Sequence, residues 1–197
     1  LEPGDTRALT YGVAFDVGTT TVVGSLVDLV TGREVAVAAG LNEQMLYGAD
    51  VISRINVVMH DPEGLDKLHR QVMRVLNGLV DELVQRSGVK RESIYEAPVV
   101  GNPCMQHLTA AGDLGLHISP LAAVYLLPAV AGHVGADSVG VILATDLHHS
   151  CRVRMAIDIG TNGEIMLGSR DRILACSTAA GPAFEGTQIR QGMRATV

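Results

Sequence analysis

Asp16 to Thr21 read DVGTTT, set between the apolar run Tyr11 to Phe15 and a second run from Val22 to Val30. Runs rich in Val and aromatics on each side of a short Gly/Thr turn predict a β-hairpin. Gly18 lets a ligand approach the backbone, and successive amide hydrogens can converge on an anion. Thr19, Thr20 and Thr21 add hydroxyl donors, while Asp16 at the strand end can hold a hydrated cation. A metal-bound phosphate needs that set of groups. Taken alone, the stretch reads equally well as a Thr-rich turn with a solvated aspartate, and a second copy shifts the balance. Asp158-Ile159-Gly160-Thr161-Asn162-Gly163 follows apolar Met155 to Ile157 and precedes a strand from Glu164 to Leu167. Setting Asp16 over Asp158 also sets Gly18 over Gly160 and Thr19 over Thr161, 142 residues apart. Two such hairpins in register, each opening a strand series, predict a duplicated domain.

Outward from the first hairpin, Thr31-Gly32-Arg33 is a turn and Glu34 to Leu41 a third antiparallel strand. Val51, Ile52, Ile55, Val58 and Met59 have helical spacing. Asp61 as cap and Pro62 at the first position predict a second helix, with Leu65, Leu68, Val72, Val75, Leu76, Leu79, Val80 and Leu83 on one face and Ser87-Gly88 ending it. Ile94 to Val100 reads as a buried strand, and Asn102-Pro103 opens a short helix. A short strand is expected at Tyr125 to Leu127 and a helix from Gly135 to Leu147, with Asp137 favouring its dipole and His148-His149 at its end. An antiparallel start followed by alternating strands and helices implies a layered α/β domain.

The chain has 197 residues, 47% of them apolar, enough for one sizeable core. A net charge of −6 and the lack of a basic block argue against nucleic acid or an anionic membrane as partner. The most apolar stretch, Ile118 to Ala136, is broken by Pro120, Pro128, Gly132 and Gly135, so it reads as core strand and loop, not as a membrane helix. Cys104, Cys151 and Cys176 lack CxxC spacing, so neither a disulfide framework nor a zinc or iron–sulfur site is indicated and a cytoplasmic setting fits. No GxxxxGK[ST] occurs, which disfavours a P-loop. Residues 1–10 have the composition of a linker from something upstream, and the chain is expected to be a piece of a larger protein. Met45, Met59 and Met73 are read as core filler.

The two motifs and the element order resemble the superfamily of actin, sugar kinases and heat-shock ATPases, whose two ribonuclease-H-like domains each begin with such a hairpin. The stretches GVAFDVGTTTVVGSLVDLVTG, YGADVISRI, GADSVGVILATDL, IDIGTNGEI and STAAGPAFEGTQIRQGMRA are closest to one branch, the ATP-dependent reductive activators of corrinoid proteins. The resemblance implies a ribonuclease-H-like (actin-like ATPase) domain over residues 11–149 and the first strands of a second, incomplete one over 152–197. It further implies ATP and Mg²⁺ as ligands, a corrinoid protein as partner, homodimer formation, and an iron–sulfur cluster in an upstream ferredoxin domain. Hydrolysis would drive electron transfer to cob(II)alamin.

On this reading Asp16 and Asp158 face each other across a cleft and hold the metal through its waters. Gly18 to Thr21 and Gly160, Thr161, Asn162 and Gly163 grip the phosphates. Asn102 stands where kinases of the superfamily often carry a catalytic acid. An amide cannot act as a base, so it either orients a water or simply caps a helix. Glu164 reaches either the metal shell or solvent, and Ala179 to Gly186 is either a cleft-mouth loop or a surface turn. The alternatives to an ATPase are a small-molecule kinase or phosphatase of the same superfamily, and a nucleotide-responsive interaction module without turnover.

Overall fold

The leading hairpin forms as its sequence predicts. In the computed structural model of the chain, which describes residues 9–160 and 162–179, β1 (Tyr11–Val17) pairs antiparallel with β2 (Thr21–Asp28). Alternation along β1 buries Val13, Phe15 and Val17 and leaves Ala14 and Asp16 exposed. β3 (Glu34–Leu41) extends the sheet antiparallel to β2. On the other side β4 (Ile94–Gly101) runs parallel to β1, and β5 (Ala123–Leu126) parallel to β4, giving the order β3-β2-β1-β4-β5. The short last strand thus starts two residues earlier than the sequence predicts and ends at Leu126.

The crossover from β3 to β4 holds α1 (Val51–His60) and α2 (Gly64–Ser87), which ends at a left-handed Gly88 with φ 73°. α2 packs on β2 and β3 and buries Leu68, Val72, Leu76, Leu79, Val80 and Leu83 together with Phe15, Val22 and Leu26. Each such burial contributes about 1.5–3 kcal/mol relative to exposure. The start of α2 differs from expectation. α1 runs on to His60, and Asp61 closes it, its N–H donating to Val57 O. Pro62 is therefore left in the turn before the first helical residue, Gly64. The apolar stripe of α2 is also shorter than predicted, because Leu65 is exposed.

α1 turns a different face inward from the one its apolar residues predict. Ile52, Ile55 and Met59 are exposed, and its fully buried residue is Arg54. The core-filler reading of the methionines holds for buried Met73 and fails for Met45 and Met59, which are both exposed. α1 begins with a capping box: Asp50 Oδ1 accepts from Ser53 N–H at 2.8 Å, and Ser53 Oγ accepts from Asp50 N–H at 3.1 Å. The Ser53 N–H is the main cause that holds the Asp50 carboxyl below its ordinary value. A depressed carboxyl stabilises the fold above its ordinary pKa and loses that contribution as pH falls through the depressed value. Asp50→Ala is expected to cost about 1 kcal/mol at neutral pH and almost nothing in strong acid. Urea unfolding at the two pH values checks this, and an equal loss at both would contradict it.

By contacts the chain divides into Leu1–Leu126 and Leu127–Val197. In the second unit, β6 (Arg154–Ile159), β7 (Asn162–Ser169) and β8 (Arg172–Ala179) form an antiparallel sheet in that order. α4 (Ala136–Ala144), which the sequence assigns to the first domain, packs on β6 and β7. It stops three residues short of the predicted end. Asp146 adopts a left-handed conformation, φ 53°, and Leu147–His149 form a separate 3-10 turn. His148 and His149 thus do not end α4, and His149 Nδ1 lies 2.7 Å from Asp146 Oδ1.

Candidate functional site

In the first turn every carbonyl is held from the protein side. Gly18 O accepts from Asn42 Nδ2 at 2.8 Å, Thr19 O from Arg54 Nη2 at 2.5 Å, and Thr20 O from the Asn42 N–H at 2.8 Å. No peptide bond here is cis. A trans peptide sets its N–H opposite its C=O, so the N–H groups of Thr19, Thr20 and Thr21 point away from those donors. Three consecutive amides facing outward make a concavity for an anion. Gly18 N–H closes the turn on Thr21 O at 3.0 Å, and a Cβ on Gly18 would stand 2.5 Å from that same oxygen. Glycine is required there by the close approach of the chain's own Thr21 O, whereas the motif assigns it the approach of a ligand.

The three threonines are not equivalent. Thr19 is 5% exposed, and its Oγ1 accepts from Asn102 Nδ2 at 3.0 Å, so this side chain anchors the turn. Thr20 and Thr21 are half-buried, and Asp16 is exposed at the end of β1. Asn102 caps α3 (Pro103–Thr109), its Oδ1 accepting from Met105 N–H at 3.0 Å. Both ends of its amide are engaged, one in the cap and one in the phosphate-type turn.

The second turn is one residue tighter. Gly160 N–H donates to Asn162 O at 3.0 Å, the bond that Gly18 makes to Thr21. Asn162 therefore takes the place of Thr21, Gly163 that of Val22, and Glu164 that of Val23. Asp158 consequently faces Glu164 across the strands, whereas Asp16 faces Val23. Thr161 lies outside the described residues, as does the run Ala179 to Gly186 beyond the last residue of β8.

Glu164 is 8% exposed and accepts from Ser177 Oγ at 3.0 Å, so it does not point to solvent. Burial pushes its carboxyl above the ordinary value, with Asp137 and Asp158 adding to the push and the Ser177 bond opposing it. Asp137, in the first turn of α4, is raised by burial and further by Asp158, against a hydrogen bond from Ser138 N–H. Asp137 is thus a neighbour of Asp158 that a helix-dipole reading misses. The available signal was an acid opening the helix that leads into the second Asp-x-Gly-Thr strand. The three carboxyls feel one another's charge, but among the described residues their oxygens do not converge as those of a metal-holding group would.

Arg54 and Asn42 also escaped the sequence reading. Arg54 lies on the 51/54/58 stripe of α1, and that lone basic residue among apolar positions was the clue. Asn42, fully buried just after β3, offered no such clue.

The sequence matches the RACo middle region over residues 11–113 and 108–150, and the C-terminal domain of RACo, the ASKHA domain, over residues 152–197. The chain belongs to the RACo family, the reductive activators of corrinoid proteins. It is 35% identical over 209 residues to the corrinoid activation enzyme RamQ of Eubacterium limosum, covering 94% of this chain and 35% of that protein. It is 26% identical over 214 residues to the [Co(II) methylated amine-specific corrinoid protein] reductase of Methanosarcina barkeri, covering 94% of this chain and 39% of that protein. A solved reductive activator for corrinoid, iron–sulfur protein superposes with a TM-score of 0.88 at 38% identity, covering 98% of this chain and 34% of that one. The chain therefore spans between 34% and 39% of the length of these relatives, and its fold is the expected actin-like α/β fold of the ASKHA class. Among the described residues of this RACo-family chain, no helix is long and apolar enough to cross a membrane.

Proposed function

We propose that this chain is the phosphate-gripping part of an ATP-dependent reductive activator that restores a corrinoid protein to its active cobalt(I) state. The observation that carries the reading is the first turn, whose three carbonyls are held by Asn42 and Arg54, which turns the N–H groups of the same peptides the other way, just after Asp16 in the chain. The second Asp-x-Gly-Thr hairpin supports it by setting Glu164 opposite Asp158 across the strands. RACo-family membership supports a corrinoid protein as the partner.

Bound Mg²⁺ supplies charge neutralisation for the transferred phosphate. The chain's own residues do the rest. In the first unit, amides of Thr19 to Thr21 would hold phosphate oxygens and Asp16 would accept hydrogen bonds from a cation's water shell. In the second unit, the repeated motif assigns the like roles to Asp158 and to Thr161 and Asn162. Asn102 positions Thr19 and supplies no carboxylate for deprotonating a substrate hydroxyl, which favours hydrolysis over a small-molecule kinase. The electron comes from an iron–sulfur cluster in an upstream domain of the full-length protein, which works in the cytoplasm and as a homodimer.

Phosphate release by the full-length protein tests this reading. Sustained, Mg²⁺-dependent release is expected. Nucleotide binding with no turnover, even with a corrinoid partner added, would instead support an interaction module.

A further inference from the structure

Among the described residues, Arg54 is the largest fully buried side chain. Its Nε donates to Gly48 O at 3.0 Å, Nη1 to Gln44 Oε1 at 3.1 Å and to the Met105 sulfur at 3.3 Å, and Nη2 to Thr19 O at 2.5 Å. Every one of these acceptors is neutral. No carboxylate among the described residues forms an ion pair with it. Of the two groups whose fields favour the Arg54 charge, the Cys104 thiol is pushed up by burial, which favours its neutral form, and Asp50 is exposed and spends its carboxylate on the capping box of α1. A guanidinium stays protonated in proteins, so the fold buries a cation without a protein counter-charge, an arrangement that normally destabilises.

The local structure is shaped to keep this cation in place. A Cβ on Gly48 would come within 2.5 Å of Ser53 Oγ and 2.8 Å of Arg54 N, so glycine is what lets the Gly48 carbonyl come close enough to reach Nε. Gln44 is held in turn by its Nε2, which donates to Leu68 O at 3.0 Å. The charge acts on one peptide of the turn in particular. Thr19 O and Thr20 N–H belong to the same planar unit, and a cation on the oxygen draws density from it and strengthens the N–H as a donor.

We propose that Arg54 is a positioning residue of the phosphate turn, and that its buried charge is balanced by the phosphate of a bound nucleotide, not by a carboxylate of the protein. This rests on reading Gly18 to Thr21 as a phosphate turn. The role differs from that of a surface cation reaching for the ligand, because Arg54 acts from behind the turn and never touches the nucleotide.

The test titrates Mg·ATP into the full-length protein, wild type and two variants, by calorimetry, with thermal unfolding run alongside. Gln44→Glu sets a carboxylate against Arg54 and cancels its charge, keeping an acceptor for Nη1 and losing only the donor to Leu68 O, while Gln44→Met loses both hydrogen bonds and leaves the charge. Gln44→Glu is expected to weaken Mg·ATP at least about tenfold, and Gln44→Met no more than about threefold. Equal losses, or none in Gln44→Glu, overturn the proposal, since a merely structural Gln44 would make Gln44→Met, which loses more hydrogen bonds, at least as weak as Gln44→Glu. If Gln44→Glu does not fold, Arg54→Lys and Arg54→Met give the same comparison. Lysine keeps the charge and should bind at least about tenfold more tightly than methionine, and parity overturns the proposal. Failure of the wild-type protein to bind Mg·ATP overturns the phosphate reading itself, and the role of Arg54 with it.

Discussion

Asp16→Ala, and separately Asp158→Ala, is expected to lower Mg²⁺-dependent phosphate release by the full-length protein about 100-fold or more. Each aspartate is the penultimate residue of its strand, two residues before the glycine whose N–H closes the turn. Asp16 is exposed, so its removal leaves the burial of Val13, Phe15 and Val17 on the other face of β1 untouched, and the variant is expected to fold. The two variants differ in their effect on the metal. Val23 faces Asp16, so Asp16→Ala leaves no neighbouring acid across the strands. Glu164 faces Asp158 and Asp137 lies near it, so Asp158→Ala retains part of an acid set. The Mg²⁺ concentration for half-maximal activity should therefore rise more in Asp16→Ala. Turnover within threefold of wild type in either variant would remove that aspartate from the mechanism.

Gly18→Ala is the second large effect. A Cβ at this position would lie 2.5 Å from Thr21 O, a distance that real Cβ atoms do not tolerate, and the obstacle is backbone. The turn must open, and in opening it breaks the Gly18 to Thr21 bond and tilts the amides of Thr19 and Thr20 out of register. Such overpacking costs about 1–3 kcal/mol. If it falls on the phosphate contacts, nucleotide affinity drops by roughly 10-fold to 100-fold. Calorimetric titration of the full-length variant checks this. Wild-type affinity in Gly18→Ala would mean that the turn does not contact the ligand.

What was legible in the sequence had a local cause. The hairpin could be read because strand alternation, a Gly/Thr turn and a second copy all point the same way, and the α2 stripe because its spacing persists over several turns. The face of α1 could not, since polarity rules place arginine outside. Arg54 lies inside because its acceptors are backbone carbonyls of Thr19 and Gly48, and a sequence carries no mark for carbonyls. The start of α2 was misread because Asp61 and Pro62 satisfy the rules for opening a helix as well as they satisfy those for closing α1. The acid set of the second unit stayed hidden for a different reason. The pairing of Glu164 with Asp158 depends on a turn one residue shorter than its counterpart, and turn length sets the register of every following pair.

Cobalt(I) absorbance of the corrinoid partner, followed after mixing with the full-length protein and a low-potential electron donor, tests the central claim most directly. The account predicts that the cobalt(I) band grows with Mg·ATP and stays absent when the nucleotide is omitted or replaced by a non-hydrolysable analogue. Equal cobalt(I) formation with and without Mg·ATP would contradict it.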